Sequence, residues 1–167
     1  EKMIAYLKAF GAKHNLETKV DEAGNVLIKK PATPGKENLQ TVVLQSHIDM
    51  VCEKNNDVQH DFLTDPIETE IDGEWLKAKG TTLGADNGIG VATELAILAD
   101  DSIEHGPLEC LFTVDEETGL TGAFALQEGF MSGDILLNLD SEDEGEIFIG
   151  CAGGIDSVAE FTYKEVE

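Results

Sequence analysis

Three short apolar runs, each followed by acidic or histidine residues, constrain the fold of this chain more than any other feature of its sequence. The runs are Leu39–Ser46, Leu108–Val114 and Ile135–Leu139. Their lengths and their branched aliphatic residues predict buried central strands. Because helix-like segments separate the runs, we expect an α/β protein: a three-layer sandwich with a mixed, largely parallel central sheet.

The other segments fit around such a sheet. Apolar residues recur at helical spacing near the N-terminus, and glycine-containing turns separate short strand-like pairs. The predicted elements are a helix at Lys2–Lys13, a hairpin of Leu16–Val20 and Asn25–Lys30, a second hairpin of Ile67–Ile71 and Glu74–Ala78, helices at Val91–Ala99 and Gly119–Glu128, and strands at Glu146–Gly150 and Val158–Tyr163.

Charge and cysteine content narrow the classes of partner and the cellular location. With 34 acidic and 11 basic residues the net charge is −23, which argues against nucleic acid and anionic membranes, because their phosphates would be repelled. No apolar run is long enough to span a bilayer. The three cysteines, Cys52, Cys110 and Cys151, are scattered and favour a reducing, cytoplasmic location over a disulfide framework.

Polar residues follow all three predicted central strands. His47 and Asp49 follow the first, Asp115-Glu116-Glu117 the second and Asp140 the third. Ligands of open α/β sheets bind beyond the carboxyl ends of the strands, and imidazole and carboxylate groups bind zinc and related metals. Each group also has an ordinary interpretation: a loop histidine bonded to an acid, an acidic helix N-terminus, or a strand-to-loop turn.

The glycine-rich stretch Gly80–Gly90, GTTLGADNGIG, adds one more acid, Asp86. Taken alone, Asp86 or Asn87 is more simply a helix cap than a metal ligand. However, one histidine and several acids all fall at strand ends or on this loop. If each had only its ordinary role, this shared placement would be a coincidence. Together they favour a metal site.

Four ordered motifs identify the family that these residues resemble. They are His47-Ile48-Asp49, Gly84-Ala85-Asp86-Asn87-Gly88, Asp115-Glu116-Glu117-Thr118-Gly119 and Asn138-Leu139-Asp140-Ser141-Glu142, extended by the longer segments HIDMVCEKN, HDFLTDPI and FIGCAGGID. The chain resembles the dinuclear zinc peptidases and deacylases related to carboxypeptidase G and aminoacylase. More narrowly it is similar to the aminoacyl-histidine dipeptidases, which cleave Xaa-His dipeptides.

The resemblance implies a set of metal ligands. Asp86 corresponds to the carboxylate that bridges two zinc ions. His47 and Asp140 correspond to the other ligands of one ion, and Glu117 to a ligand of the second. Zinc is the implied cofactor, and manganese or cobalt would suit the same histidine and carboxylate set.

The resemblance also implies catalytic roles and a substrate. Glu116 corresponds to the general base that takes a proton from the attacking water and passes it to the leaving amine. Asp49 corresponds to the acid that orients and polarises His47. The implied activity is hydrolysis of small dipeptides, of the Xaa-His and carnosine-like type. The alternatives are a tripeptide aminopeptidase, an N-acyl amino acid deacylase and a non-catalytic metal-binding module.

One feature of the family has no counterpart in this sequence. The family completes the second metal site with a histidine far toward the C-terminus, beyond a lid or dimerisation domain, whereas the sequence stops at Glu167, and His14, His60 and His105 lie in no matching motif. We therefore expect an incomplete, zinc-peptidase-like fragment, weakly active or inactive alone. Residues 1–152 would be the N-terminal part of the catalytic domain and 153–167 the lead-in to a domain through which the intact protein forms a homodimer.

Overall fold

The computed structural model describes residues 1–141, 143, 145–150, 153–155 and 157–163. These residues form three helices and seven strands. In chain order the elements are α1 (Lys2–Lys13), β1 (Glu17–Val20), β2 (Val26–Lys30), β3 (Val42–His47), β4 (Thr69–Asp72), β5 (Trp75–Ala78), α2 (Ala85–Ala99), β6 (Leu108–Thr113), α3 (Thr121–Ala125) and β7 (Ile135–Asn138).

A five-stranded mixed sheet in the order β1-β2-β6-β3-β7 forms the centre of the fold. Strands β1, β2 and β6 pair antiparallel, whereas β3 runs parallel to both β6 and β7. Val42 lies opposite Leu108 on one side and Ile135 on the other. Because the register is in step, the carboxyl ends of β3, β6 and β7 meet at one edge of the sheet.

Alternating side chains build two apolar layers, one on each face of the sheet. Leu44, Cys110 and Phe112 pack on one face against α1 and α2. Leu27, Val43 and Leu111 pack on the other face against the segment that follows α3. The chain is therefore a three-layer α/β sandwich, as the sequence predicts, and Cys110 is a core residue.

The separate hairpin of β4 and β5 is confirmed, and so are the first helix and the first hairpin. Three elements differ most from their predicted bounds, and the other bounds shift by at most two residues. Strand β3 begins at Val42, later than predicted, helix α2 begins at Ala85 and absorbs the end of the glycine-rich stretch, and α3 is shorter than predicted. Helix α3 ends early because Leu126 turns to an extended conformation, in which it packs on the second core layer.

Two predictions about strands are wrong. Strand β7 is not a buried central strand: it lies at the edge of the sheet, and the exposed fractions of Ile135, Leu136 and Leu137 are 39%, 49% and 49%. An apolar run has the same composition whether one or both of its sides are covered. The segments Glu146–Gly150 and Val158–Tyr163 form no strand, since nothing in the described part of the chain pairs with them.

Some predictions fall on residues that lie outside the described ranges. Glu142 of the fourth motif, Cys151 and Asp156 of the segment FIGCAGGID, and the proposed boundary at residue 152 are among them. Of the helices that are described, none has the length and apolar character needed to cross a membrane.

Candidate metal centre

The carboxyl edge of the sheet brings the predicted site residues together. His47 is the last residue of β3 and lies opposite Thr113, the last residue of β6. The turn that carries Glu116 and Glu117 follows β6, and Asp140 lies two residues beyond the end of β7. The parallel pairing thus places the side chains of three separate chain segments around one point.

His47 lies at the centre of this cluster and is 1% exposed. Its Nε2 is 2.9 Å from an Asp86 carboxylate oxygen, 3.7 Å from Asp140 and 3.9 Å from Glu116. One imidazole nitrogen therefore faces three carboxylates that come from different parts of the sequence.

Asp49 contacts the other side of the imidazole and the turn after β6. The Nδ1 of His47 lies 3.0 Å from the main-chain oxygen of Asp49 and 3.4 Å from its carboxylate. A proton on Nδ1 would be donated to that carbonyl, which leaves the Nε2 lone pair facing the carboxylates. The Asp49 carboxylate also accepts hydrogen bonds from the main-chain N–H groups of Glu116 and Glu117, at 3.0 Å and 3.1 Å. Asp49 thus fixes both the histidine and the acidic turn.

The structure excludes a capping role for Asp86. The N-cap of α2 is Gly84, at φ 75°, and no side chain caps the helix. Asp86 and Asn87 have non-helical dihedral angles, joined by a cis peptide bond. Their side chains point to the cluster instead, where Asp86 contacts His47 and Asn87 donates a hydrogen bond to Asp140.

The three consecutive acids after β6 have different surroundings. Asp115, at φ 56°, accepts hydrogen bonds from the hydroxyls of Thr118 and Thr121. These bonds lower its pKa and hold the turn, so Asp115 is a structural residue. Glu116 and Glu117 follow it and contribute the two carboxylates of the turn that reach the cluster.

Like charges crowd the cluster, and the shifts in pKa reflect this. Burial raises the pKa of Glu116, and the charges of Asp140, Glu117 and Asp49 raise it further, against a lowering by His47. Burial also raises the pKa of Asp140. A divalent cation among these groups would reverse that trend by favouring the ionised forms.

The pKa of His47 is also raised, but here the neighbouring charges cause the rise and burial opposes it. Burial by itself lowers the pKa of the imidazole, because it disfavours the charged form. The hydrogen bond to Asp86 and the charges of Asp140, Asp49 and Glu116 outweigh burial, so the pKa of His47 is raised. The surroundings of His47 therefore favour a positive charge at this point.

The residues present fit a divalent metal ion such as zinc. Two groups of side chains each bring one ligand atom per residue within 4.8 Å of the others: His47, Asp86 and Glu117, and His47, Glu116 and Asp140. Two ligand atoms bonded tetrahedrally to zinc at about 2.0–2.2 Å are roughly 3.4 Å apart. The distances of 2.9–3.9 Å around Nε2 are on this scale.

The remaining histidines lie elsewhere in the described chain and belong to neither group. His14 stacks on the ring of Phe10, His60 contacts the ring of Phe62, and His105 lies beside the carbonyl of its neighbour.

The sequence predicts no role in the site for two buried polar residues of α2. Asn87, predicted only as an alternative helix cap to Asp86, does not cap the helix. Glu94, on α2, is fully buried, and both of its carboxyl oxygens lack a hydrogen-bond partner in the described chain. Its spacing from Val91 and Leu98 placed an acid on the apolar face of the helix, and this was the available signal.

Comparison with known proteins identifies the family. Residues 43–162 match the family described as peptidase family M20/M25/M40. The chain is 57% identical over 156 residues to the cytosol non-specific dipeptidase of Escherichia coli (strain K12). It superposes with a TM-score of 0.88 and 58% identity on the aminoacylhistidine dipeptidase of Vibrio alginolyticus, and with 0.69 and 26% on the aminopeptidase PepT of Bacillus cereus.

These matches cover most of this chain but a minor part of each relative. The alignments cover 93%, 90% and 83% of this chain, and 32%, 31% and 37% of the respective relatives. The family match spans most of the sheet and every residue of the cluster, from β3 to Asp140. The chain therefore belongs to the peptidase family M20/M25/M40.

Proposed function

We propose that this protein is a metal-dependent dipeptidase whose metal centre is built on the carboxyl edge of the central sheet. The observation that carries the proposal is the convergence of Asp86, Glu116 and Asp140 on one nitrogen of the buried His47. Asp49 contacts the opposite nitrogen of His47 and accepts a hydrogen bond from the acidic turn. The cluster is therefore already arranged before any metal ion binds.

In this proposal Asp86, His47 and Asp140 would hold one zinc ion, and Asp86 and Glu117 would hold a second. The donor set of one imidazole and three carboxylates suits zinc, and manganese or cobalt would suit it as well. A bound zinc pair would polarise the peptide carbonyl and make a nearby water more acidic.

Glu116 acts as the general base and Asp49 as the residue that orients His47. The raised pKa of Glu116 suits a carboxylate that must accept a proton and release it again. Its main-chain N–H is held by Asp49, so its carboxylate reaches the cluster from a fixed turn. It would take a proton from water and deliver it to the leaving amine.

The names of the relatives support dipeptides as the substrate class. One relative is called a non-specific dipeptidase and another an aminoacylhistidine dipeptidase. We propose Xaa-His dipeptides, including carnosine-like ones, as substrates. A tripeptide aminopeptidase, which the weaker similarity to PepT would favour, and an N-acyl amino acid deacylase are the alternative enzymes. A non-catalytic metal-binding module is the alternative outside enzymes.

Domain organisation, assembly and location are part of the proposal. Residues 1–152 would belong to the catalytic domain and 153–167 would lead into a lid or dimerisation domain. The intact protein would be a cytoplasmic homodimer that requires neither nucleic acid nor membrane. The location is supported by the name of the Escherichia coli relative and the assembly by the resemblance to the family.

Removal and return of the metal tests this function. The complete protein is incubated with a chelator, assayed on β-alanyl-histidine, and assayed again after zinc is added back. We expect chelation to abolish hydrolysis and zinc to restore it, because no other group in the cluster replaces the cation.

A substrate panel of several dipeptides, a tripeptide and an N-acyl amino acid, assayed with the same zinc-loaded protein, separates the alternatives. Faster turnover of a tripeptide or of an N-acyl amino acid than of any dipeptide would replace the dipeptidase assignment. Zinc binding without turnover of any of these compounds would favour the binding module. Full activity in the presence of the chelator would contradict a metal-dependent mechanism altogether.

A further inference from the structure

The side chain of Asn87 lies between two segments of the metal centre. It is 3% exposed, and its Nδ2 donates one hydrogen bond to Asp140 Oδ1 at 2.7 Å and another to the main-chain oxygen of Leu139 at 3.1 Å. Both partners can only accept. The amide nitrogen must therefore face them, which fixes the orientation of the amide.

The amide oxygen of Asn87 points the other way, into the protein. It has no hydrogen-bond partner among the described residues. A buried polar atom without a partner lowers stability, so the amide oxygen of Asn87 adds nothing to the stability of the core. The residue is thus poorly explained as a stabiliser of the fold alone.

One turn later, Gly90 makes room for this amide. A Cβ atom at Gly90 would lie 1.8 Å from Asn87 Oδ1 and 3.0 Å from the Cβ of Ser46. At Gly88, on the same helix, a Cβ would meet nothing within 4 Å. The absence of a side chain at Gly90 therefore allows two things: the close approach of α2 to β3, and the observed position of the Asn87 amide.

Asp140 follows the edge strand β7, which pairs on one side only in the described sheet, and like charge repels the Asp140 carboxylate from Asp86 across His47. A neutral donor beside Asp140 attracts the carboxylate without adding a positive charge that would compete with a cation.

We propose that Asn87 is a positioning residue that fixes the Asp140 carboxylate in the metal centre. In this way Asn87 sets how tightly the protein binds the metal ion that Asp140 holds. The inference rests on the proposed function, since it takes Asp140 as a metal ligand. Substitution of residues that hold metal ligands typically lowers metal affinity by about 10–100-fold.

The test measures zinc affinity directly, by titration of the metal-free complete protein with zinc. Asn87→Leu keeps the shape of the side chain and removes its donor, and Asn87→Ala removes both. We expect each variant to bind one of two zinc ions roughly 10–100-fold more weakly and the other nearly as the parent protein does. With cobalt in place of zinc, the visible absorption bands of one ion should change in position and intensity.

Gly90→Ala supplies an independent variant, because its methyl group displaces the amide without altering Asn87. Gly90→Ala should weaken the binding of the same zinc ion. Gly88→Ala and the exposed substitution Asn38→Ala are the controls, and both should leave zinc affinity unchanged. Urea denaturation of each metal-free protein reports folding separately, and Asn87→Leu carries the test if Asn87→Ala does not fold.

Unchanged zinc affinity and an unchanged cobalt spectrum in a folded Asn87→Leu protein would overturn the inference, whatever happens to stability. An equal loss at both zinc sites would also overturn it, since that would indicate a general loosening. If the parent protein itself binds no zinc, the proposed function fails instead, so the two failures are distinguishable.

Discussion

Replacing Glu116 with glutamine is expected to lower kcat for a dipeptide by roughly 10²–10⁴-fold, the usual contribution of a general base. Glutamine keeps the length of the side chain but cannot take up a proton from water. Because Glu116 is proposed as a base and not as a ligand, the zinc content should stay the same. Steady-state kinetics on β-alanyl-histidine and metal analysis of the same samples measure both quantities.

This variant is informative because Glu116 and Glu117 each place a carboxylate oxygen within 4.8 Å of proposed metal ligands. Glu128→Gln, an exposed glutamate after α3, is the matched control and should have parental kcat and zinc content. Loss of a zinc ion from Glu116→Gln would make Glu116 a ligand. Parental turnover in Glu116→Gln would remove the general base from the mechanism.

Replacing Glu94 with glutamine is expected to stabilise the protein at alkaline pH by several kcal/mol. Burial raises the pKa of this carboxyl from an ordinary 4.5 to about 8, and the nearby Ser46 hydroxyl and Cys110 thiol lower it by less. Neither forms a hydrogen bond of good geometry with the carboxyl oxygens. At pH 7 Glu94 is therefore mostly protonated inside the core.

The direction of the pH effect follows from where the proton binds more tightly. The folded protein holds the Glu94 proton up to about pH 8, whereas the unfolded chain releases it near pH 4.5. As the pH rises between these two values, Glu94 therefore lowers the free energy of unfolding, by about 4–5 kcal/mol in all. Above pH 8 it lowers this free energy no further. Burial also raises the pKa of Cys110, so this thiol stays neutral throughout that range.

Urea denaturation between pH 4 and pH 9 measures this effect. The advantage of Glu94→Gln over the parent protein should be small near pH 4.5, grow with pH and level off above pH 8. Glu74→Gln, on the exposed turn of the second hairpin, should show no such growth. A Glu94→Gln advantage that is independent of pH would contradict a buried, protonated carboxyl.

Much of the fold was predictable because local patterns determined it. The spacing of apolar residues predicted α1, and the short apolar runs predicted β3 and β6. The edge position of β7 was not predictable from its composition, because burial depends on which strands pair with it. The same reasoning explains Glu146–Gly150 and Val158–Tyr163, whose apolar residues lack partners in the described chain.

The candidate site was predictable to the extent that it follows the ends of parallel strands. That rule placed His47 and Asp140 at one edge, and the register of the sheet agrees with it. The two hydrogen bonds that the acidic turn donates to Asp49 span 67 and 68 residues along the chain, and the one that Asn87 donates to Asp140 spans 53. Contacts of this kind depend on tertiary packing, which a pattern of residues does not encode locally.

The identity of the metal ligands is tested most directly by a crystal structure of the complete protein grown with zinc. Anomalous diffraction at the zinc edge locates each ion and the side chains that hold it. We expect two zinc ions that share Asp86, with His47 and Asp140 on one ion and Glu117 on the other. Zinc bound by His14 or His105, or no zinc within bonding distance of His47, would contradict it.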